Sequence, residues 1–224
     1  MGLYVIGITG ASGTVYAKSL LLELLCMNHN IDLIISRAGL IVANEELGWQ
    51  IPESEAQASV YFRDLFHDLA EKDKGLVGRK LGRINYYHDD HIAAPPASGS
   101  YLSDGMIIVP CSMGAASAVA SARSATLLER AADVALKEHR RLVIIPRESP
   151  MSAIHLRNLL TLAQLGVHVV PACPSFYQQP RSLDDMVEYF TLRTLDQVGI
   201  HQESDQRWSQ AQSPDRKGFE NDEN

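Results

Sequence analysis

The sequence predicts an α/β fold, a doubly wound parallel sheet with helices on both faces. Short runs that are apolar throughout alternate with longer segments whose apolar residues recur at helical spacing. Strands of this kind are typical of parallel sheets that are buried on both sides. The 224 residues are enough for one such domain, and 46% hydrophobic with 21% charged residues is an ordinary globular composition.

The strand candidates follow one another along the chain, at 5–9, 33–35, 106–109, 142–145 and 167–170. The helix candidates that follow or separate them are 14–28, 38–47, 115–122, 125–140, 151–165 and 182–198. Sheets of this class bind ligands beyond the carboxyl ends of their strands. We therefore expect the functional residues directly after the strand candidates.

Two segments do not fit this alternation. Residues 48–92 are polar and irregular, and we expect a helix over about 56–73 and then a loop before Ala93. Residues 201–224 hold charges, Gln and Ser with few apolar residues, which predicts a disordered tail. The expected organisation is a single domain over 1–200 followed by the tail 201–224.

The totals argue against several classes of protein. A net charge of −7 argues against nucleic acid as the main partner, because phosphate backbones need a basic stripe. No apolar run approaches the ~20 residues needed to cross a bilayer, and the start lacks the basic region of a secretory signal. The three cysteines Cys26, Cys111 and Cys173 are far apart, which argues for a reducing, cytoplasmic location.

A glycine-rich turn, Gly7-Ile8-Thr9-Gly10-Ala11-Ser12-Gly13, joins the first strand candidate to the first helix candidate. Amides at a helix N-terminus can hold a phosphate. The glycines fall at every third position, so this is not the G-x-G-x-x-G dinucleotide fingerprint. A tight turn without a ligand explains the pattern equally well, and Ser12 also suits an N-cap.

Small residues follow another strand candidate in Pro110-Cys111-Ser112-Met113-Gly114-Ala115. They permit the close approach of a flat ring or a phosphate. Cys111 has no histidine near it in the sequence, which favours a small buried thiol over a nucleophile.

Four charged residues form the next group. Arg130 and Lys137 are seven apart on one helix face, which by itself indicates a solvated face. Arg147 and Glu148 directly follow a strand candidate, where the planar fork of an arginine suits a phosphate.

One short cluster, His88-Asp89-Asp90-His91, resembles a set of metal ligands. It falls in the segment interpreted as a loop, and no third His or Cys accompanies it at a standard spacing. We expect no metal site here, because such a site needs a complete set of ligands.

Taken in order, these stretches resemble the flavin prenyltransferase family, the UbiX/Pad1-like enzymes that make prenylated FMN for partner decarboxylases. The resemblance extends from about residue 3 to 200 and leaves out most of 48–90. The matching motifs are G-I-T-G-A-S-G (7–13), I-S-R-A (35–38), P-P-A-S-G-S (95–100), G-M-I-I-V-P-C-S-M (105–113), E-R-A-A-D-V-A-L-K-E (129–138), I-P-R-E-S-P (145–150), I-H-L-R-N-L (154–159) and P-S-F-Y-Q-Q-P (174–180), followed by Arg193.

The resemblance implies a flavodoxin-like, three-layer fold and a homododecamer with its sites at subunit interfaces. It implies FMN-binding positions at Gly10, Ala11, Ser12, Ser36, Ser112, Met113, Gly114, Ala115 and Arg147. It implies catalytic positions at Ser12, Glu46, Arg130, Lys137 and Glu148. Tyr177 and Arg193 match positions that bind the phosphate of dimethylallyl phosphate.

In this family the prenyl group becomes bonded to N5 and C6 of reduced FMN, without a metal, and a UbiD-type decarboxylase uses the prenylated FMN. Arginine and lysine side chains can neutralise the departing phosphate, and a closed apolar site protects an allylic cation from water. Glu46 and Ser12 could relay a proton during ring closure, provided that they lie close together.

The chain departs from the family pattern at Gly114-Ala115, where many members carry Lys-Thr, so a hydroxyl that could bond the flavin is missing. Two other functions stay open. A flavin-dependent cysteine decarboxylase would use a catalytic His and an Asn-containing motif that the sequence lacks. An FMN-binding or flavin-delivery protein would have no use for the set Arg130, Lys137, Tyr177 and Arg193.

Overall fold

A computed structural model of the chain describes residues 1–73, 76–176 and 179–201. Six strands form one sheet in the order β3-β2-β1-β4-β5-β6, and all their pairings are parallel. The strands are β1 (Leu3–Ile8), β2 (Asn30–Ile35), β3 (Ile84–His88), β4 (Gly105–Cys111), β5 (Leu142–Pro146) and β6 (His168–Val169). The predicted doubly wound, three-layer α/β fold is confirmed.

Seven helices cover the two faces of the sheet. They are α1 (Thr14–Cys26), α2 (Arg37–Leu47), α3 (Glu55–Lys72), α4 (Met113–Ala120), α5 (Leu127–Lys137), α6 (Ala153–Gln164) and α7 (Leu183–Gln197) within the described residues. Buried residues of α1, α2, α3 and α7 form one core cluster, and those of α4, α5 and α6 form a second cluster on the other face.

Strands β4 and β5 are apolar throughout because alternate side chains of each belong to the two clusters, whereas β2 carries the buried Asp32. In β4, Ile107 and Val109 belong to the first cluster, whereas Met106 and Ile108 belong to the second. Successive side chains of a strand point to opposite faces, so a strand that is buried on both sides is apolar at nearly every position. This is the pattern from which the sheet was predicted.

The predicted loop before Ala93 is wrong in part, because Ile84–His88 forms the edge strand β3. The outer edge of this strand pairs with side chains of α3 instead of another strand. The Ser59 hydroxyl accepts the Tyr86 amide and the Glu55 carboxylate accepts the His88 amide, both at 2.8 Å. An edge strand with polar residues gives a weaker apolar signal than the buried strands, which is why the sequence pattern missed it.

The predicted helix over 56–73 is confirmed as α3. No helix within the described ranges combines the length and the apolar character that a membrane span requires. Apart from His201, the tail predicted as disordered lies outside the described residues.

Candidate active site

The carboxyl ends of β1 and β4 are joined by one buried side chain, that of Thr9. Its hydroxyl donates to the Pro110 carbonyl at 2.7 Å and accepts the Ser112 amide at 2.7 Å. The strand order reverses between these two strands, the point at which sheets of this class bind their ligands. Thr9 therefore holds the two predicted ligand turns side by side.

A cavity of about 310 Å³ opens at this point. Its volume lies at the lower end of the range for small-molecule sites, so it can enclose part of a nucleotide-sized ligand. Its walls come from the segments after β1, β2, β3 and β4, the turn between α4 and α5, and the start of α5. The lining residues are Thr9, Gly10, Ser36, Arg37, Ala38, Asp89, Ser112, Gly114, Ala115, Arg123, Thr126, Leu128 and Glu129.

Three helices begin at this cavity, each with a hydroxyl residue as its N-cap. Ser36 caps α2, Ser112 caps α4 and Thr126 caps α5, each through a hydrogen bond from a backbone amide of its own helix. The N-terminal ends of helices carry partial positive charge and unpaired amides. Their convergence on one cavity favours an anionic group such as a phosphate.

The predicted turn after β1 passes directly against the first turn of α2. A Cβ atom at Gly10 would lie 2.5 Å from the Cβ atom of Ala38, so glycine is needed for this close approach. Ala11 is buried and Ser12 is exposed. Of this turn, Gly10 lines the cavity, whereas Ala11 and Ser12 do not, and the Ser12 side chain is hydrogen-bonded to Glu46.

Glu46, near the end of α2, is bound to the start of α1. Its carboxylate accepts the amides of Gly13 and Thr14, at 3.0 and 2.8 Å, and the Thr14 hydroxyl at 2.7 Å. Partial burial raises the pKa of Glu46, but hydrogen bonds from Ser12, Thr14 and the two amides outweigh burial, so its pKa lies below the usual value. Glu46 and Ser12 are thus in contact, and the carboxylate is ionised at neutral pH.

Arg147, predicted to bind FMN, directly follows β5 and is exposed. Its amide donates to the Cys111 carbonyl at 3.3 Å, which keeps the β4 and β5 ends together. Burial raises the pKa of Tyr16, the nearby Cys173 raises it further, and Arg147 lowers it. Arg147 therefore lies within electrostatic reach of the first turn of α1.

The other residues predicted to bind FMN, in the turn after β4, differ in their exposure. Ser112 and Ala115 are half-buried and Gly114 is exposed, whereas the Met113 side chain is buried in the core. Cys111 is fully buried, and burial raises the pKa of its thiol to about 12. The thiol is therefore protonated at neutral pH, in agreement with the predicted buried role.

The charged residues predicted for the site, Arg130, Lys137, Arg147 and Glu148, are not among the residues that line this cavity. Arg130 lies in the first turn of α5, and its buried Nε has no hydrogen-bond partner within the described residues. Lys137 ends the same helix, about 15 Å along the axis from its first residue at 1.5 Å per residue. Glu148 is exposed and accepts a local hydrogen bond from the Ser149 amide at 3.0 Å.

Of the two residues predicted to bind the prenyl donor, one lies away from the cavity lining and the other is not described by the structure. Arg193 is on the exposed side of α7, where its Nη1 pairs with Asp196 at 3.2 Å. Tyr177 lies outside the described residues. The roles assigned to all these residues stay predictions.

Sequence reasoning missed several residues that line the cavity, among them Asp89, Arg123 and Glu129. Asp89 belongs to the cluster that resembled metal ligands. Its carbonyl and carboxylate instead accept the amides of Leu127 and Leu128, at 2.7 and 2.9 Å. An Asp directly after a strand was the one available signal, and the unrecognised strand β3 concealed it.

A larger groove of about 490 Å³ lies between α3 and the start of β3. Its lining includes Arg63, His67, Arg79 and Arg83. Because this groove lies beside the amino end of a strand, away from the point where the strand order reverses, the smaller cavity is the better candidate for the active site.

Known proteins resemble this chain along most of its length. The family model described as Flavoprotein matches residues 3–191. Flavin prenyltransferase UbiX of Halalkalibacterium halodurans is 43% identical over 93% of this chain and 94% of its own length.

Two solved structures extend this likeness to three dimensions. A dodecameric FMN-dependent UbiX-like decarboxylase from Escherichia coli O157:H7 has a TM-score of 0.74 and 33% identity, over 92% of this chain and 98% of the other. AnUbiX (PadA1), solved in complex with FMN and dimethylallyl pyrophosphate, also has a TM-score of 0.74, at 29% identity, over 93% and 99%.

Proposed function

The chain belongs to the flavin prenyltransferases of the Flavoprotein family, and we propose that it transfers a dimethylallyl group from dimethylallyl phosphate to N5 and C6 of reduced FMN. The observation that carries this proposal is the cavity at the β1 and β4 ends, where three helix N-termini meet the tight turn at Gly10. The product would be prenylated FMN, for use by a UbiD-type decarboxylase.

The donor set fits FMN, whose phosphate is its one strongly anionic group. Backbone amides at the starts of α2 and α4 and the hydroxyls of Ser36 and Ser112 line the cavity that would take this phosphate. Gly10, Ala11, Ser12, the 112–115 turn and Arg147 would complete the binding site. When bound, reduced FMN supplies the nucleophile.

The chain's own polar residues would manage charge and protons. Arg130, Lys137 and Glu148 are proposed to act at the reacting groups, and Tyr177 and Arg193 to hold the donor's phosphate. Glu46, already ionised, is suited to accept a proton through the Ser12 hydroxyl with which it is in contact.

This set of residues requires more than one copy of the chain. Lys137 lies about 12 Å along the axis of α5 from Glu129, a residue that lines the cavity, and this is too far for its side chain to reach the same site. A neighbouring subunit would therefore supply Lys137, and a homododecamer with sites at its subunit interfaces meets this need. The E. coli neighbour described as dodecameric supports this assembly.

We also propose a cytoplasmic location. The free thiols of Cys26, Cys111 and Cys173 support it, because reduced cysteines are usual in that compartment.

One experiment separates the proposed function from its two alternatives. The protein is incubated anaerobically with reduced FMN and either dimethylallyl phosphate or the diphosphate, and the flavin is analysed by mass spectrometry. A flavin heavier by one dimethylallyl group supports the proposal and identifies the donor. Unchanged FMN with either donor would favour flavin delivery, and carbon dioxide released in a parallel incubation with a cysteine substrate would favour the decarboxylase.

A further inference from the structure

An arginine outside the predicted site, Arg123, lies at the cavity and is held by a buried carboxylate. Its Nε donates to both oxygens of Glu129, at 3.0 and 3.1 Å, and its Nη2 forms an ion pair with the same carboxylate. The Arg123 side chain is 61% exposed, whereas that of Glu129 is 6% exposed. An exposed guanidinium is thus held by a buried carboxylate.

Glu129 is anchored independently of Arg123. Its carboxylate also accepts the Ala125 amide at 2.9 Å, and its own amide donates to the Thr126 hydroxyl at 3.4 Å. Burial raises the pKa of Glu129, but Arg123 and the nearby amides outweigh burial and hold the pKa below its usual value. The carboxylate is therefore ionised and sets the direction of the guanidinium.

One nitrogen of the Arg123 guanidinium, Nη1, is not engaged by Glu129. Within the described part of the chain, Nη1 of Arg123 makes no hydrogen bond, while Nε and Nη2 face Glu129. Gly114 and Ala115 line the same cavity and carry no side-chain donor. Arg37 is the other arginine of the cavity, and the described residues form no ion pair with it.

We propose that Arg123 binds the phosphate of FMN and that Glu129 is the positioning residue that holds Arg123 in place. This inference rests on the proposed function. The cavity already favours an anion through three helix N-termini, and an oriented arginine adds a charge-assisted hydrogen bond to it. Arg123 thereby supplies a donor to a cavity whose wall at Gly114 and Ala115 offers only backbone.

The test compares FMN with riboflavin, which lacks the phosphate, by isothermal titration calorimetry. Arg123→Gln should weaken FMN binding about tenfold or more, as expected for the loss of a charge-assisted hydrogen bond, and should leave riboflavin binding unchanged. Glu129→Gln should weaken FMN binding less. It should have no further effect in the Arg123→Gln background, because Glu129 acts through Arg123.

Arg63→Gln is the matched control and should leave both affinities unchanged, since Arg63 is 65% exposed, pairs with Asp64 and lines the other groove. Equal weakening of FMN and riboflavin by Arg123→Gln would overturn the inference, because it would indicate a damaged fold. An unchanged preference for FMN in Arg123→Gln would also overturn it. A wild-type protein that binds no FMN would overturn the proposed function itself.

Discussion

The hydroxyl of Thr14 donates a 2.7 Å hydrogen bond to the carboxylate of Glu46. Thr14 is the first residue of α1 and Glu46 lies near the end of α2, so this contact closes the N-terminus of one helix with a side chain from another. A carboxylate at a helix N-terminus satisfies unpaired amides and complements the helix dipole. Glu46 therefore has a structural role in addition to its proposed role as a proton carrier.

The structural role predicts a pH-dependent loss of stability in Glu46→Gln. Since folding lowers the pKa of Glu46 below its usual 4.5, its contribution is present above that value and is lost as the pH falls through the folded-state pKa. Glu46→Gln should thus be less stable than wild type at pH 7, and the difference should shrink below about pH 4. Urea unfolding across this pH range measures it, and a difference independent of pH would contradict it.

The catalytic role predicts a different defect in the same variant. Glu46→Gln should keep FMN binding but slow formation of the cyclised product, because it removes the carboxylate that accepts a proton. Flavin products are followed by mass spectrometry over time. The exposed neighbour Glu45 is the control, and if Glu45→Gln proved the damaging change, the assignment of Glu46 would be off by one position.

Most of the fold could be predicted because its central strands are apolar on both faces and its helices are amphipathic. The exception was β3, whose outer edge is satisfied by Ser59 and Glu55 of α3. Nothing in a local window of sequence shows that a helix will pair with the edge of a polar strand. That relationship exists only once the chain has folded.

Among the residues of the candidate site, those that directly follow strands could be predicted from the sequence. Gly10, Ser36 and Ser112 follow strands, and they do meet in one cavity. Arg123 and Glu129 were missed because their contact depends on the turn between α4 and α5, where Ala122 adopts a left-handed conformation with φ of 52°. No spacing rule predicts such a turn from an alanine.

Close packing of the turn after β1 against α2 predicts that a substitution of Gly10 lowers the stability of the protein. Gly10→Ala should destabilise the protein by about 1–3 kcal/mol, because its new methyl group would lie 2.5 Å from the Cβ atom of Ala38. Gly114→Ala is the comparison, since a Cβ atom there would meet only the Ser112 hydroxyl, at 3.9 Å. Urea unfolding of both variants is the measurement, and equal stabilities would contradict the prediction.

The donor-binding pair predicts changes in donor use without changes in flavin binding. Arg193→Ala and Tyr177→Phe should each raise the donor concentration needed for half-maximal rate, since charge-assisted bonds to a phosphate contribute about 1.5–3 kcal/mol. FMN affinity should stay nearly unchanged. Because Arg193 also pairs with Asp196, Asp196→Asn is the control for loss of that ion pair alone. An unchanged dependence on donor would show that both residues are structural.

Sites shared between subunits predict that two inactive variants can rescue each other. Lys137 lies about 12 Å along α5 from Glu129 at the cavity, whereas Arg147 directly follows β5 and bonds to the end of β4, so one site would take these two residues from different copies. Lys137→Ala and Arg147→Ala oligomers should each be inactive. Mixed oligomers, made by co-expression with two different tags, should recover activity.

The extent of rescue follows from the geometry. With random mixing in equal amounts, roughly a quarter of the shared sites would receive both intact residues, because each comes from a separate copy. If one chain supplied both residues, every site would lack one of them and mixing would restore nothing. Prenylated FMN formed per site in the mixed oligomers distinguishes these outcomes. A doubly substituted chain, Lys137→Ala with Arg147→Ala, mixed with either single variant is the control and should show no rescue.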